Sequence, residues 1–143
     1  MSDGSEGRMK KKNLFFAGFA VFLVCAVIFF SEPRARVKTF LTLNKGALEK
    51  VVEDGHGRAV IVSNEVFHMW DGEHTMIECV LFTRGDTYYG CYYSVDDVPL
   101  AFQNTDAEIV QTEENAWAWE AEGDNSGMTE RIGEGWYYFE ASF

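Results

Sequence analysis

The feature that most constrains this chain is an uninterrupted apolar run, Leu14 to Phe30, with no charged or strongly polar side chain. As a helix, its 17 residues reach about 26 Å, close to the thickness of the hydrocarbon core of a bilayer. A helix that is apolar on every face is not expected in a soluble domain of this size. The run therefore predicts a transmembrane anchor over residues 13–31, with the lipid bilayer as its partner through residues 14–30.

Two other interpretations of the same run stay open. A cleaved signal peptide has a shorter apolar stretch that ends at a small-x-small site, whereas this run ends in Ile28, Phe29 and Phe30. A lipoprotein cysteine at Cys25 would need a small residue before it, and Val24 stands there instead. Both patterns fit the residues less well than an uncleaved anchor does.

Charge differs sharply on the two sides of this run. Residues 1–38 carry seven basic and three acidic side chains, and the rest of the chain carries a net charge of −15. Four basic residues precede the run and three follow it, so the positive-inside rule favours a cytoplasmic N-terminus. We therefore expect a single-pass cell-membrane protein with a basic cytoplasmic tail at 1–12, a basic juxtamembrane tether at 32–39 and an acidic extracytoplasmic domain at 40–143. Such an acidic domain repels phosphate, so no nucleic-acid partner is expected.

Beyond the tether, the hydrophobic pattern changes from a helical period to a period of two. Apolar positions between residues 37 and 52 suit one face of a helix, with Gly55 as a stop. Met76–Thr83 and Thr87–Ser94 flank a tight turn, as the arms of a β-hairpin do. The pattern predicts an α+β domain in which one amphipathic helix packs on an antiparallel sheet of about four to six strands.

Two histidines and two acids stand within seven residues and are weak candidates for a divalent metal site: His68, Asp71, Glu73 and His74. Zinc needs three or four ligands in tetrahedral geometry, and this spacing matches no zinc motif. A polar loop between two strands explains the same residues. We therefore predict no metal and no cofactor, with these four residues as weak candidates.

Acidic turn residues are the other candidates for chemistry. Asp96 and Asp97 precede Pro99, and Asp124 lies in a glycine-rich turn. Such carboxylates can bind calcium or act as an acid–base pair on a glycoside, but Asp also favours turns because it bonds to nearby backbone. Because no spacing here forms a catalytic motif, we predict no catalytic residue and a domain that is not an enzyme.

Cys79 and Cys91 lie on opposite arms of the predicted hairpin, and an oxidising compartment would allow a disulfide between them. A three-residue loop over residues 84–86 places them directly opposite each other, whereas a two-residue loop sets Cys79 opposite Tyr92. Glycine at the first loop position, Gly85, favours the two-residue loop. The disulfide is therefore one candidate, and a pair of small buried thiols is the alternative.

Four strings in the predicted domain carry a resemblance: Tyr88–Pro99, Gly123–Asn125, Thr129–Ile132 and Trp136–Ala141. Together they resemble an uncharacterised family of short exported or membrane-tethered bacterial proteins. The similarity covers about residues 40–143 and leaves the apolar run outside it. It implies an exported or tethered domain and brings no catalytic residues.

A weaker similarity is to pilin-like proteins, which also place an apolar helix before an antiparallel sheet. This chain lacks their Gly-Phe processing junction and the glutamate that follows it. The sequence thus predicts a membrane-tethered extracytoplasmic module for binding or interaction, with a protein or cell-surface partner. A cell-surface polymer hydrolase that uses carboxylates and a pilin-like assembly subunit are the alternatives.

Overall fold

The computed structural model describes residues 16, 18–23, 26–27, 31–54 and 60–143. The chain divides into two compact units, Met1–Arg36 and Val37–Phe143. Much of the predicted tail and anchor, namely residues 1–15, 17, 24–25 and 28–30, lies outside the described residues. Within the described ranges, no helix is both long enough and apolar enough to cross a membrane.

In residues 32–54, two helices precede the sheet where the sequence predicts one. Helix α1 runs over Pro33–Leu43 and helix α2 over Lys45–Asp54. Proline is favourable at the first position of a helix, because the N–H that it lacks would have no partner there. The predicted tether at 32–39 is therefore helical from its second residue onward.

Asn44 separates the two helices. Its side-chain amide donates to the Phe40 carbonyl at 2.8 Å, and its own carbonyl accepts the Leu48 N–H at 3.0 Å. A short polar side chain that bonds to local backbone favours a helix end over a helix interior. Asn44 thus ends α1 where α2 begins, while the predicted stop at Gly55 lies outside the described residues.

Eight antiparallel strands follow within residues 60–143, so the predicted α+β class is confirmed and the predicted count of four to six strands is wrong. In chain order they are β1 Val60–Val62, β2 Glu65–Trp70, β3 Met76–Arg84, β4 Thr87–Ser94, β5 Glu108–Glu113, β6 Ala116–Glu120, β7 Ser126–Arg131 and β8 Trp136–Ser142. Their order across the sheet is β1-β2-β3-β4-β8-β7-β6-β5, so the last strand lies at the centre. Strands β5 and β7 are rich in polar residues, which hides the period-two pattern on which the prediction depended.

Each face of the sheet carries its own buried cluster. The first face, here called the helix face, includes Val37, Leu48, Val51, Phe67 and Ile77, to which both helices contribute. The second, here called the loop face, includes Met76, Tyr92, Leu100, Phe102, Trp119, Tyr137 and Phe139. The long connection between β4 and β5 supplies part of this second cluster, and it contains one turn of 3₁₀ helix at Phe102–Asn104. Because side chains alternate along a strand, the central strands contribute to both clusters.

Candidate functional site

A cavity of about 520 Å³ lies on the loop face, where β2 and β3 run side by side. His68 and Glu78 are direct partners in the register of these strands, so their side chains lie on the same face. Trp70 follows two residues along β2 and shares that face. This cavity, here called the Glu78 cavity, is lined by Asn64, Glu65, Val66, His68, Trp70, Glu78, Val80 and Gln103.

Glu78 is a buried carboxyl in the wall of this cavity. The residue is only 3% exposed, and its Oε2 accepts the backbone N–H of Gln103 at 2.8 Å. Burial disfavours the ionised form and raises the pKa of Glu78 to about 7, although the hydrogen bond from Gln103 acts in the opposite direction. At neutral pH the carboxyl is therefore divided between its protonated and ionised forms. A perturbed carboxyl in a cavity is typical of a functional site.

Gln103 reaches Glu78 from a strained turn. Gln103 and Asn104 both have a φ of 54°, a left-handed conformation that residues other than glycine rarely adopt. The Asn104 side-chain amide donates to the His74 carbonyl at 2.7 Å. Gly72 makes this approach feasible, since a Cβ there would lie 2.6 Å from the Asn104 amide nitrogen. The surrounding structure thus holds strained backbone beside the cavity, as is common at binding sites.

Trp70, which lines the cavity, carries a polar group without a partner. Its indole N–H is buried and makes no hydrogen bond within the part of the chain that the structure describes. An unpaired buried donor costs about 1 to 3 kcal/mol. The Trp119 indole N–H is also buried without a partner among the described residues, but Trp119 does not line this cavity. Trp70 therefore adds a second energetically unfavourable feature at the same place as Glu78.

The four metal candidates are dispersed in the structure. His68 lies on β2 in the Glu78 cavity. His74 pairs with Asp96, and the distance between its Nδ1 and the Asp96 Oδ2 is 2.9 Å. Asp71 and Glu73 are exposed in the loop before β3. Over the described residues, no three His, Cys, Asp or Glu side chains come together as metal ligands.

Asp97 stabilises the fold. Its carboxylate forms an ion pair with Arg131 and accepts the Gly135 backbone N–H at 3.1 Å. The Tyr137 hydroxyl donates to the Asp97 backbone carbonyl at 3.0 Å. These bonds join the segment after β4 to β7 and β8. The acidic turn candidates Asp96, Asp97 and Asp124 do not line the Glu78 cavity.

A second cavity, of about 630 Å³, lies between α2 and the turn that joins β7 to β8. Leu48, Val52 and Trp136 give it apolar walls. Its charged lining residues, Lys45, Glu49, Glu53 and Glu134, are exposed to solvent. Because it contains no buried ionisable group, it is a weaker candidate site than the Glu78 cavity.

Cys79 and Cys91 are direct partners between β3 and β4, and both thiols are buried and free. The hairpin has the two-residue loop Gly85-Asp86, which alone would set Cys79 opposite Tyr92. A β-bulge places one extra residue, Leu81, on β3 and shifts the register by one. The expectation that the two cysteines are split was therefore wrong, because it considered the loop without the bulge.

The thiols do not provide a nucleophile in this geometry. Burial, with a smaller contribution from the charges of Glu65 and Glu78, raises the pKa of Cys79 to about 12. Burial likewise raises the pKa of Cys91 well above its usual range. Since the thiolate is the reactive form, both cysteines stay protonated and unreactive at neutral pH.

No family model, no curated protein and no solved structure matches this chain. The resemblance to short exported bacterial proteins accordingly stays a prediction. Neither Glu78 nor Gln103 was among the residues that the sequence singled out. One signal was present, because Glu78 is the only charged residue in the apolar segment Met76–Phe82.

Proposed function

We propose that this chain is a membrane-tethered binding module that takes a small ligand into the Glu78 cavity. One observation carries the proposal. Glu78 buries an ionisable carboxyl at a position where the neutral amide of a glutamine would destabilise the folded protein less. Above pH 7, the raised pKa of Glu78 corresponds to a penalty of about 3 kcal/mol on folding. Groups that reduce stability in this way are typical of functional sites.

The hydrogen bond to Gln103 does not account for the carboxylate. A glutamine at position 78 would offer a carbonyl oxygen of the same geometry to the Gln103 N–H. The negative charge strengthens this bond, but the pKa of Glu78 is raised in spite of it, so the bond does not offset the cost of burying the charge. A ligand that supplies a positive charge or further hydrogen bonds would stabilise the ionised carboxylate of Glu78, which the turn alone does not do sufficiently.

The remaining walls suit a small molecule. Val66, Val80 and Trp70 provide apolar surface, and Asn64 and Gln103 carry amide groups. Ligand sites commonly have volumes of roughly 300 to 1,000 Å³ and combine apolar walls with a few fixed polar groups. The Glu78 cavity, at about 520 Å³, has this composition and size.

The tether is proposed from the apolar run at 14–30 and the basic residues on either side of it. Two of its described residues, Phe16 and Phe22, are each 66% exposed, and lipid would cover such apolar surface. The basic bias toward the N-terminus favours an acidic domain outside the cytoplasm.

We expect the full-length chain to remain in the membrane pellet after alkaline carbonate extraction. Proteinase K added to intact spheroplasts of an expressing bacterium should digest the acidic domain. Recovery in the soluble fraction at full-length mass would contradict the tether. Protection of the domain until the cells are lysed would contradict the orientation.

Ligand binding can be tested with three probes of one shape and different charge: benzylammonium, benzyl alcohol and benzoate. The full-length chain, ¹⁵N-labelled in dodecylmaltoside micelles, is titrated while the Trp70 indole and Gln103 amide signals are followed. We expect saturable shifts at both signals with at least one probe. Because Val66 is exposed at the cavity, Val66→Trp should block that binding, whereas Val110→Trp on the exposed edge strand β5 should not. Absence of saturable shifts with all three probes would rule out the proposed site.

A second candidate function is hydrolysis of a cell-surface polymer. The observation that favours it is that Glu65, half-buried, and Glu78, buried, line the same cavity. Two carboxyls in different environments can act as the acid and the second carboxylate of a glycoside hydrolase. This candidate requires that the full-length chain release reducing ends from purified cell-wall glycan and that Glu78→Gln abolish the release. Release no faster than in the buffer blank would exclude it for that substrate.

A further inference from the structure

The charges of the Glu78 cavity all favour a cation. The carboxyl of Glu78 lies in its wall, Glu65 is the other acidic residue among those that line it, and no Lys or Arg is found among them. An anion would therefore meet negative charge at close range, in surroundings where water screens it poorly. Buried charges in proteins are normally paired, and within the described residues Glu78 has no ion-pair partner.

The residues that line the cavity indicate which class of cation it can bind. A bare divalent ion needs several oxygen or nitrogen ligands, and among the described residues no three His, Cys, Asp or Glu side chains converge. The apolar walls from Val66 and Val80 and the aromatic ring of Trp70 instead suit a cation with an organic body. An ammonium group is attracted to an aromatic face as well as to a carboxylate. Its N–H groups can also donate to the carboxylate, which accepts several hydrogen bonds.

We infer that the Glu78 cavity binds a small primary amine, with the ammonium group against the Glu78 carboxylate and the apolar body against Trp70 and Val66. This inference rests on the proposed function and specifies its ligand class. The amine supplies the positively charged partner that Glu78 lacks among the described residues. Binding and ionisation are then coupled, because only the ionised carboxyl pairs with the ammonium group.

The pH dependence follows from the groups around Glu78. Glu65 and His68 on β2 share its cavity, and Tyr92 on β4 is its direct partner in the β3–β4 register. Burial holds the pKa of Tyr92 far above neutrality, so Tyr92 stays uncharged. With the pKa of Glu78 near 7, its ionised fraction falls about 30-fold between pH 8 and pH 5.5, and the affinity for an amine falls with it. His68→Gln removes the one imidazole among the residues that line the cavity and serves as a control variant.

The same three aromatic probes, applied to the full-length chain in the uncharged detergent dodecylmaltoside, test whether the ligand is an amine. At pH 8, benzylammonium should bind at least tenfold more tightly than benzyl alcohol, and benzoate should not bind. The benzylammonium affinity should fall about 30-fold at pH 5.5, also in His68→Gln. Glu78→Gln should bind benzylammonium no better than benzyl alcohol.

Failure of the inference is distinguishable from failure of the proposed function. If benzyl alcohol or benzoate binds as tightly as benzylammonium, the cavity is a ligand site but its ligand is not an amine. The same conclusion follows if the preference for the ammonium group survives in Glu78→Gln. If no probe shifts the Trp70 and Gln103 signals, both the amine and the site are refuted.

Discussion

Replacing Glu78 by glutamine is expected to raise the free energy of unfolding by about 2 to 3 kcal/mol at pH 8. The folded-state pKa of Glu78, about 7, lies above its ordinary value of 4.5, so the folded protein holds this proton more tightly than the unfolded chain does. The contribution of Glu78 to stability is therefore fully present below pH 4.5 and is lost as the pH rises through 7. Glutamine cannot ionise, and its carbonyl still accepts the Gln103 N–H.

The measurement is urea unfolding of both full-length chains in dodecylmaltoside, followed by tryptophan fluorescence at pH 4.5 and pH 8. The difference between the two chains should be small at pH 4.5 and large at pH 8. Glu108→Gln, an exposed position on the edge strand β5, is the matched control and should show no such change with pH. A Glu78→Gln chain that is less stable than the parent at both pH values would show that the carboxylate serves the fold itself.

Gly90→Ala is expected to destabilise the protein by about 3 kcal/mol or more, at the upper end of what overpacking costs. A Cβ on Gly90 would lie 2.0 Å from the Cys79 carbonyl oxygen and 2.7 Å from the Phe139 ring. The carbonyl oxygen belongs to the neighbouring strand β3, so it cannot rotate away as a flexible side chain could. Gly90 lies beside the bulge at Leu81, where the strands approach closely.

Gly46→Ala provides the matched control for that substitution. Gly46 lies in α2 with no atom within 4 Å of the position that a Cβ would take. Alanine favours a helix over glycine by about 0.5 to 1 kcal/mol, so this variant should gain stability. Thermal melting of both variants, followed by near-ultraviolet circular dichroism, measures the two effects. If Gly90→Ala melts within a degree or two of the parent, the close packing of β3, β4 and β8 around Gly90 is incorrect.

Much of the architecture followed from local pattern. Alternation predicted the antiparallel sheet, and the hairpin between β3 and β4 has the two-residue turn that Gly85-Asp86 favours. The helical spacing of Leu48 and Val51 indicated a buried helix face, and both residues are buried. These features depend on residues near one another in the chain, which is why the sequence alone was sufficient to indicate them.

The missed features depend on long-range packing. Strand β7 begins with Ser126 and Gly127, which resemble a turn, but a Cβ at Gly127 would lie 2.4 Å from the Trp119 ring on the adjacent strand. The bulge at Leu81 is likewise invisible in the β3 pattern, and it alone places Cys79 opposite Cys91. In both cases the decisive neighbour is on another strand.

The Glu78 cavity could be predicted only in part. A single carboxylate within the apolar segment Met76–Phe82 was a local signal that this position is unusual. Its hydrogen bond comes from Gln103, which is brought there by a connection that crosses the loop face. Neither the path of that connection nor the positive φ of Gln103 follows from residue preferences, because tertiary contacts such as the Asn104 bond to His74 maintain them.

The most direct test is an NMR titration of the Glu78 side-chain carboxyl carbon in the full-length chain labelled with ¹³C-glutamate. The signal is assigned by its absence from Glu78→Gln, and its shift is followed from pH 4 to pH 9 with and without benzylammonium. We expect a midpoint near pH 7 for the pKa of Glu78 in the free chain and a lower midpoint when benzylammonium is bound. A midpoint near the ordinary glutamate pKa of 4.5, or one that benzylammonium leaves unchanged, would contradict the assignment of this cavity as an amine site.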